Sequence, residues 1–228
     1  MAELGGDGSG VDHDARLERD SYDPHFDHLL LLDRNRNPAD QVIGVYRLLR
    51  GDQAIRLGRF YSEDEYDLAP LRRSGRRLLE LGRSCLHPDY RGGTAMFELW
   101  SGLADYVADH GIELLFGVAS FHGTEPQALA APLSLLHHRH LAPPELRVTA
   151  RPPHAQRMDL LPEAGIDRAA AMLEVPALIK AYLRLGGFVG QGAWIDHAFN
   201  TTDVCLVLDT ARMNDRQRAL YARKRAPA

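Results

Sequence analysis

Lysine is almost missing from this chain: only Lys180 and Lys224 stand among its 27 basic residues, and all the others are arginine. Coding bias is the plainer cause of such a skew, yet neighbouring arginines still create local fields. Cysteine is as scarce. Cys85 and Cys205 lie far apart in apolar surroundings, which excludes a disulfide framework and a cysteine zinc site. Both read as core residues in a reducing compartment. No apolar run approaches the ~20 residues of a membrane-spanning helix, and no signal peptide opens the chain. A formal charge of −4 argues against nucleic acid as the main partner. The Gly-x-Ser-x-Gly nucleophile elbow is absent, which counts against a hydrolase of that kind.

With 228 residues, of which 45% are hydrophobic and 25% charged, the chain is long enough for one domain with a real core. Residues 1–24 are polar and rich in Gly and Asp, so they read as a disordered tail. A single domain over 25–221 and a short tail over 222–228 follow. Phe26–Arg34 and Gln41–Leu49 flank Asn35-Arg36-Asn37-Pro38 as a β-hairpin. A polar stretch from Gly51 to Gly75 carries a short helical part near Ser62–Leu71. Ile112–Ser120 reads as a buried strand, and Thr124-Glu125-Pro126-Gln127 has the spacing that starts a helix running to about His140, bent near Pro132. Gln156–Leu161 is a further strand. Pro176 opens a helix that Gly186-Gly187 ends, and Ala193–Phe199 and Val204–Leu208 are strands. Alternating strands and helices predict an α/β domain around one mixed sheet.

The densest functional signal is Leu78–Trp100, LLELGRSCLHPDYRGGTAMFELW. Written as a strand, Leu78–Leu86 places Leu78, Glu80, Gly82, Ser84 and Leu86 on one face, a lone acid beside small residues. Thr94 is the expected N-cap of the next helix, where Phe97, Trp100, Leu103 and Val107 recur at helical spacing and Gly111 is the stop. A carboxylate that accepts a proton, next to amides at a helix start that cradle pantetheine or phosphate, suits a thioester-using acyltransferase. An ordinary βα unit with a solvated or salt-bridged Glu80 is the alternative. Tyr182 precedes Gly186-Gly187-Phe188 and could protonate a departing thiolate, or serve only as a half-buried aromatic.

Other clusters carry less. His137, His138 and His140 sit at a helix end, but adjacent helical residues do not converge on a metal, and favourable placement at a helix C-terminus accounts for them. Gly187-x-x-Gly190-x-Gly192 follows a helix rather than a strand, so it is no dinucleotide loop. Asp196 and His197 are adjacent on a strand and point to opposite faces. Arg72, Arg73, Arg76, Arg77 and Arg83 could dock an acidic partner or anionic lipid headgroups, or form a solvated face.

Together, LELGRSCLHPDYRGG with its helix, the strand LLFGVAS, and Tyr182 before Gly-Gly-Phe resemble the GNAT superfamily of N-acyltransferases. GRFYSEDEYDL, LFGVASFHGTEP, LSLLHHRHLAP and LIKAYLRLGGFVGQGAWIDHAFNTTDVCLVL are similar, more closely, to the bacterial L-ornithine Nα-acyltransferases. The resemblance covers roughly Phe26 to Tyr221. It implies a central mixed, twisted sheet flanked by helices. It also implies transfer of a 3-hydroxyacyl group from acyl carrier protein to the α-amine of L-ornithine, giving lyso-ornithine lipid, with no bound cofactor and no metal. Kinship with acyl-homoserine-lactone synthases makes Glu80 the preferred base. The backbone at Ser84, Cys85 and Leu86 would hold the thioester oxyanion, and Tyr90, Arg91, Gly92, Gly93 and Thr94 would form the pantetheine loop. In the GNAT diphosphate pattern, Arg/Gln-x-x-Gly-x-Gly/Ala, the second and third positions are here Thr94 and Met96. That departure disfavours coenzyme A and favours a carrier protein, for which Arg72, Arg73, Arg76 and Arg77 are the expected docking residues. Charge alone nominates Asp196 or Asp203 for the ornithine side chain. GNAT proteins open with a strand and helix, and these are expected to be missing here, where about 25 polar residues precede the first hairpin. A cytoplasmic enzyme, in peripheral contact with the inner membrane, fits this reading. Acylation of another amino acid or amine, or a non-catalytic lipid-binding role, stays as the alternative.

Overall fold

The computed structural model describes residues 10–15 and 17–213; the tail expected over 222–228, and the ends of the 1–24 and 25–221 spans, lie outside them. In chain order the strands and helices begin with β1 (Val11–Asp12), β2 (Leu17–Glu18), β3 (Asp27–Leu32), β4 (Val42–Arg50) and α1 (Gly51–Leu57). They continue with β5 (Tyr66–Asp67), α2 (Ala69–Arg73), β6 (Leu78–Leu86), α3 (Ala95–Asp109), β7 (Leu114–His122) and α4 (Ala130–His140). The last are β8 (Thr149–Ala150), β9 (Ala155–Gln156), α5 (Arg168–Glu174), α6 (Ala177–Arg184), β10 (Phe188–Val189), β11 (Ala193–Asp196) and β12 (Thr201–Asp209). Among the described residues no helix is long and apolar enough to cross a membrane.

One mixed sheet runs β3-β4-β6-β7-β12-β11-β9, with β10 also on β12. Its neighbours are antiparallel except β6 and β7. That parallel pair is short: Leu78, Leu79 and Glu80 match Leu114, Leu115 and Phe116, and beyond them the strands part. Gly117 sits at the fork. A Cβ there would lie 2.2 Å from the Leu81 carbonyl oxygen, so only glycine lets the strands meet before they diverge.

Side-chain alternation gives each face of the sheet its own core. Leu79, Leu81, Leu115, Ala119, Val204, Leu206 and Leu208 pack with Leu99 and Leu103 of α3, Leu133 and Leu136 of α4 and Ile179 of α6. Leu78, Leu114, Phe116, Cys205 and Val207 pack on the opposite face, with Phe60, Tyr66, Leu68 and Leu71 from the segment after β4. The sheet is thus flanked on both sides, as the α/β expectation requires.

Several local expectations change. The segment 51–75 is not loop with one helical part. It holds α1, a 3-10 turn at Tyr61–Asp64, β5 and α2. The Thr124–Gln127 spacing starts only turns, and α4 begins at Ala130, which puts Pro132 in a first turn where its missing N–H costs nothing. Gln156–Leu161 shrinks to the two-residue β9, and α5 went unforeseen. Thr94 holds the N-cap position, but its side chain makes no capping hydrogen bond. Burial pushes His137 and His140 toward the neutral form, so desolvation outweighs the helix dipole there. Residues expected as a disordered tail up to position 24 are instead tied down from Glu18 onward, because buried Arg47 and part-buried Arg83 need counter-charges. Arg47 pairs with Asp20 at 2.8 Å and Asp23 at 2.7 Å, and Arg83 pairs with Glu18.

Candidate active site

Where β6 and β7 part, a cavity of about 330 Å³ opens between them, reached by Arg47, Glu65, Glu80, Ser84, Tyr182 and Asp203 among others. Glu80 stands at the fork and is 1% exposed. Its carboxylate is held by the first turn of the Tyr61–Asp64 helix: Oε2 accepts from the Tyr61 amide at 2.8 Å and Oε1 from the Ser62 amide at 2.6 Å. The Ser62 hydroxyl also donates to Oε1. A carboxylate has about four acceptor positions, so three are filled and one, on Oε2, is left. Burial raises the Glu80 pKa against the pull of these hydrogen bonds, which makes it a stronger base than a solvated glutamate. The lone acid in the apolar run is thus buried and oriented, neither solvated nor salt-bridged.

The turn that holds Glu80 also delivers Glu65, one residue beyond its end. Glu65 is 6% exposed and Asp203, on β12, is 4% exposed. Ser120 and Thr201 hydrogen-bond the Asp203 carboxylate, whose pKa burial pushes up to about 6. Burial, and then the Asp203, Asp196 and Glu80 charges, push Glu65 well above the usual carboxylate range. Asp196 is half-exposed and accepts from the Ala198 and Phe199 amides, closing the β11–β12 turn. Sequence reasoning named Asp196 and Asp203 and missed Glu65. In the run Ser62-Glu63-Asp64-Glu65 nothing local tells which acid turns inward.

On the other face the lining is apolar and aromatic. Leu81, Leu178, Leu206 and Leu208 reach the cavity together with Tyr182. The Tyr182 and Tyr46 hydroxyls are 3.1 Å apart, and the Ser84 and Trp100 side chains also meet the Tyr46 hydroxyl. Ser84 therefore does not share the face of Glu80, as strict alternation predicts. Between Arg47↔Gly82 and Val45↔Cys85 the register slips, giving β6 one extra residue, and Arg83 there has φ of 49°. That bulge turns Ser84 and Leu86 to the face of Leu81. Leu86 accordingly packs in the helix-side core, while Cys85 is exposed rather than buried.

The same slip sorts the expected oxyanion amides. The His87 amide donates to Ile43 on β4, so alternation along β6 turns the Cys85 amide to β4 and the Ser84 and Leu86 amides to the gap. Of the three, Cys85 is spent on the sheet. The expected pantetheine loop lies past the end of β6 and outside the cavity lining. Its Tyr90 hydroxyl donates to Asp33 at 2.5 Å, Arg91 Nε to the Leu86 carbonyl at 3.2 Å, and Gly92 has φ of 78°.

The arginines expected to dock a carrier protein are mostly committed elsewhere. Arg72 grips Glu63 with two bonds of 2.7 and 2.9 Å, and Glu63 in turn accepts the Phe60 amide at 2.9 Å. Arg76 is bound to Asp209 at 2.8 and 2.5 Å, and Arg77 donates to the Gly111 carbonyl at 2.5 Å. Arg73 makes no ion pair among the described residues. The cluster is not one free patch. Arg72 acts through Glu63 to fix the turn that orients both Glu80 and Glu65.

Several known proteins are similar to this chain. Residues 1–101 match the family model described as an acetyltransferase (GNAT) domain. An L-ornithine N(alpha)-acyltransferase of Rhodobacter capsulatus is 59% identical over 226 residues, covering 98% of this chain and 86% of that protein. One from Brucella abortus is 42% identical over 223 residues, with coverage of 96% and 79%. Among solved structures, the CoA-dependent acyl-homoserine lactone synthase MesI covers 96% of this chain and 80% of its own at 14% identity, with a TM-score of 0.49. With identity this high over nearly its whole length, the chain is an acyltransferase with a GNAT-like fold and belongs to the L-ornithine N(alpha)-acyltransferase family.

Proposed function

We propose that this protein transfers a 3-hydroxyacyl group from acyl carrier protein to the α-amine of L-ornithine, forming lyso-ornithine lipid. One observation carries the reading: the cavity at the fork passes through the sheet, with carboxylates on one face and apolar side chains on the other. An amine enters from the carboxylate face, and the thioester with its acyl chain lies on the apolar face. The relatives' activity supplies ornithine as acceptor. The loop that departs from the diphosphate pattern at Thr94 and Met96 favours a carrier-bound pantetheine. Docking falls to Arg73, which is exposed and makes no ion pair among the described residues.

Only an unprotonated amine attacks the thioester carbonyl. Glu80 takes the amine proton at the open position on Oε2. The amides of Ser84 and Leu86 face the developing oxyanion. As the C–S bond breaks, Tyr182 gives its proton to the thiolate, with Tyr46 able to pass a replacement along the 3.1 Å contact. Purified protein, 3-hydroxyacyl carrier protein and L-ornithine should together release free carrier thiol and a hydroxyacyl-ornithine seen by mass spectrometry. Equal turnover with the coenzyme A thioester would refute the carrier requirement, and no product with either donor would refute the acylation itself.

A further inference from the structure

Three polar atoms on the walls of this one cavity are buried without a partner among the described residues: Glu65 Oε2, Asp203 Oδ1 and Arg47 Nε. Leaving such atoms dry and unpaired is costly, more so for charged groups, and native cores rarely tolerate it without a reason. Here the signs are separated. Two acceptors lie on the Glu65–Asp203 side. The single donor belongs to Arg47, which is 4% exposed and stacked 4.4 Å from the Phe26 ring. Glu80, with its one open acceptor position, lines the same cavity.

No arginine or lysine side chain pairs with the Glu65 or Asp203 carboxylate among the described residues. The charged groups that face Glu65 are Asp203 on β12, Asp196 on β11, Glu80 on β6 and its chain neighbour Asp64. Carboxylates gathered and buried this way cannot all be ionised at little cost unless a cation arrives. Arg47 does not neutralise them, because its Nη1 donates to Asp20 and Asp23, while its buried Nε has no partner among the described residues.

We propose that Glu65 and Asp203 form a subsite for the distal ammonium of a diamino acid, and that Arg47 Nε–H holds its carboxylate. The inference rests on the acylation reading above and adds to it the residues that select the acceptor. Glu65 is its main new member. An ammonium has three donors and meets both open carboxylate oxygens, and the α-amine between the two ends then faces Glu80. An amino acid with a neutral side chain would leave Glu65 Oε2 and Asp203 Oδ1 unpaired, which is how a polar site rejects an analogue lacking the matching group. Binding replaces a shared proton on the carboxylates by the ammonium, so protons leave as the ligand enters.

Calorimetry on the full chain tests this with L-ornithine, L-norvaline (the same skeleton without the distal amine) and 1,4-diaminobutane (no carboxylate). Ornithine should bind about ten- to hundredfold more tightly than either. At pH 6 its binding heat should vary with the ionisation heat of the buffer, showing proton release, and that of norvaline should not. Glu65→Gln should bring ornithine and norvaline to within a few-fold of each other, and Asp203→Asn provides the same comparison if the first variant does not fold. Equal affinity of the wild-type chain for ornithine and norvaline, or no ornithine binding, overturns the subsite. Ornithine bound with the expected preference but never acylated leaves the subsite standing and refutes the proposed function.

Discussion

The two sides of the sheet at the β6–β7 fork are built on opposite terms. On the helix side, fully buried Ser134 is met within the protein: its hydroxyl donates to the Met158 carbonyl at 2.9 Å and accepts the Leu160 and Leu161 amides. On the other side, Glu65, Asp203 and Arg47 keep open atoms. The first arrangement is what stability requires, and the second is a deficit that a ligand can fill. The difference separates scaffold from site more sharply than cavity shape does, since both sides line the same hollow.

The strongest way to break the comparison is at Glu80. Glu80→Gln removes the proton acceptor, and the rate should fall about 10²–10⁴-fold in thiol-release assays. The amide nitrogen would also face the Tyr61 or Ser62 amide, so a melting curve must accompany the rate. A near-normal rate in a folded variant would move the base to water or to Asp89.

Next comes the cost of the open carboxylates. The folded pKa of Asp203 is raised to about 6 from 3.8, so between these values the folded state holds the extra proton. This group's contribution to stability is therefore fully present below about pH 4, falls as pH rises to about 6, and is flat above. The difference is about 3 kcal/mol at most. Asp203→Asn should accordingly stabilise the protein near pH 7 by about 1–3 kcal/mol in denaturant titration while weakening ornithine binding. Over the same range the KM for ornithine should fall with rising pH, as the carboxylate ionises. A destabilised Asp203→Asn at neutral pH would mean that the charge already has a partner.

Arg72 offers a smaller test. If it clamps the turn under Glu80, Arg72→Ala should cost about 1 kcal/mol and raise the KM for ornithine, with the KM for acyl carrier protein unmoved. The reverse pattern would restore it as a docking residue. The smallest effect belongs to Thr94→Ala. With no capping hydrogen bond to lose, its stability should stay within about 0.5 kcal/mol of wild type in thermal unfolding.

Much of the frame is legible without coordinates, because period and punctuation are local. Leu78–Leu86 reads as a strand from its apolar run stopped by Pro88, and the helix Ala95–Asp109 from its spacing and Gly111. Glu80 stands out because a lone carboxylate in such a run must have a reason. Arg72 did not reveal its task, since Glu63 reaches it only once the turn and α2 pack together.

What the sequence determined by itself is the main strands and the long helix after β6, the α/β class and the presence of one exceptional acid, all set by neighbours within a few residues. The tertiary structure alone decided which groups share the cavity. One extra residue in β6, meaningful only against β4, moved Ser84 and Leu86 to the face opposite Glu80. Glu65 and Asp203, 138 positions apart, meet because β5 and α2 pack the intervening turn over β12. Such meetings depend on long-range packing, and a carboxylate's function depends on whether its new surroundings are water, an arginine, or other carboxylates.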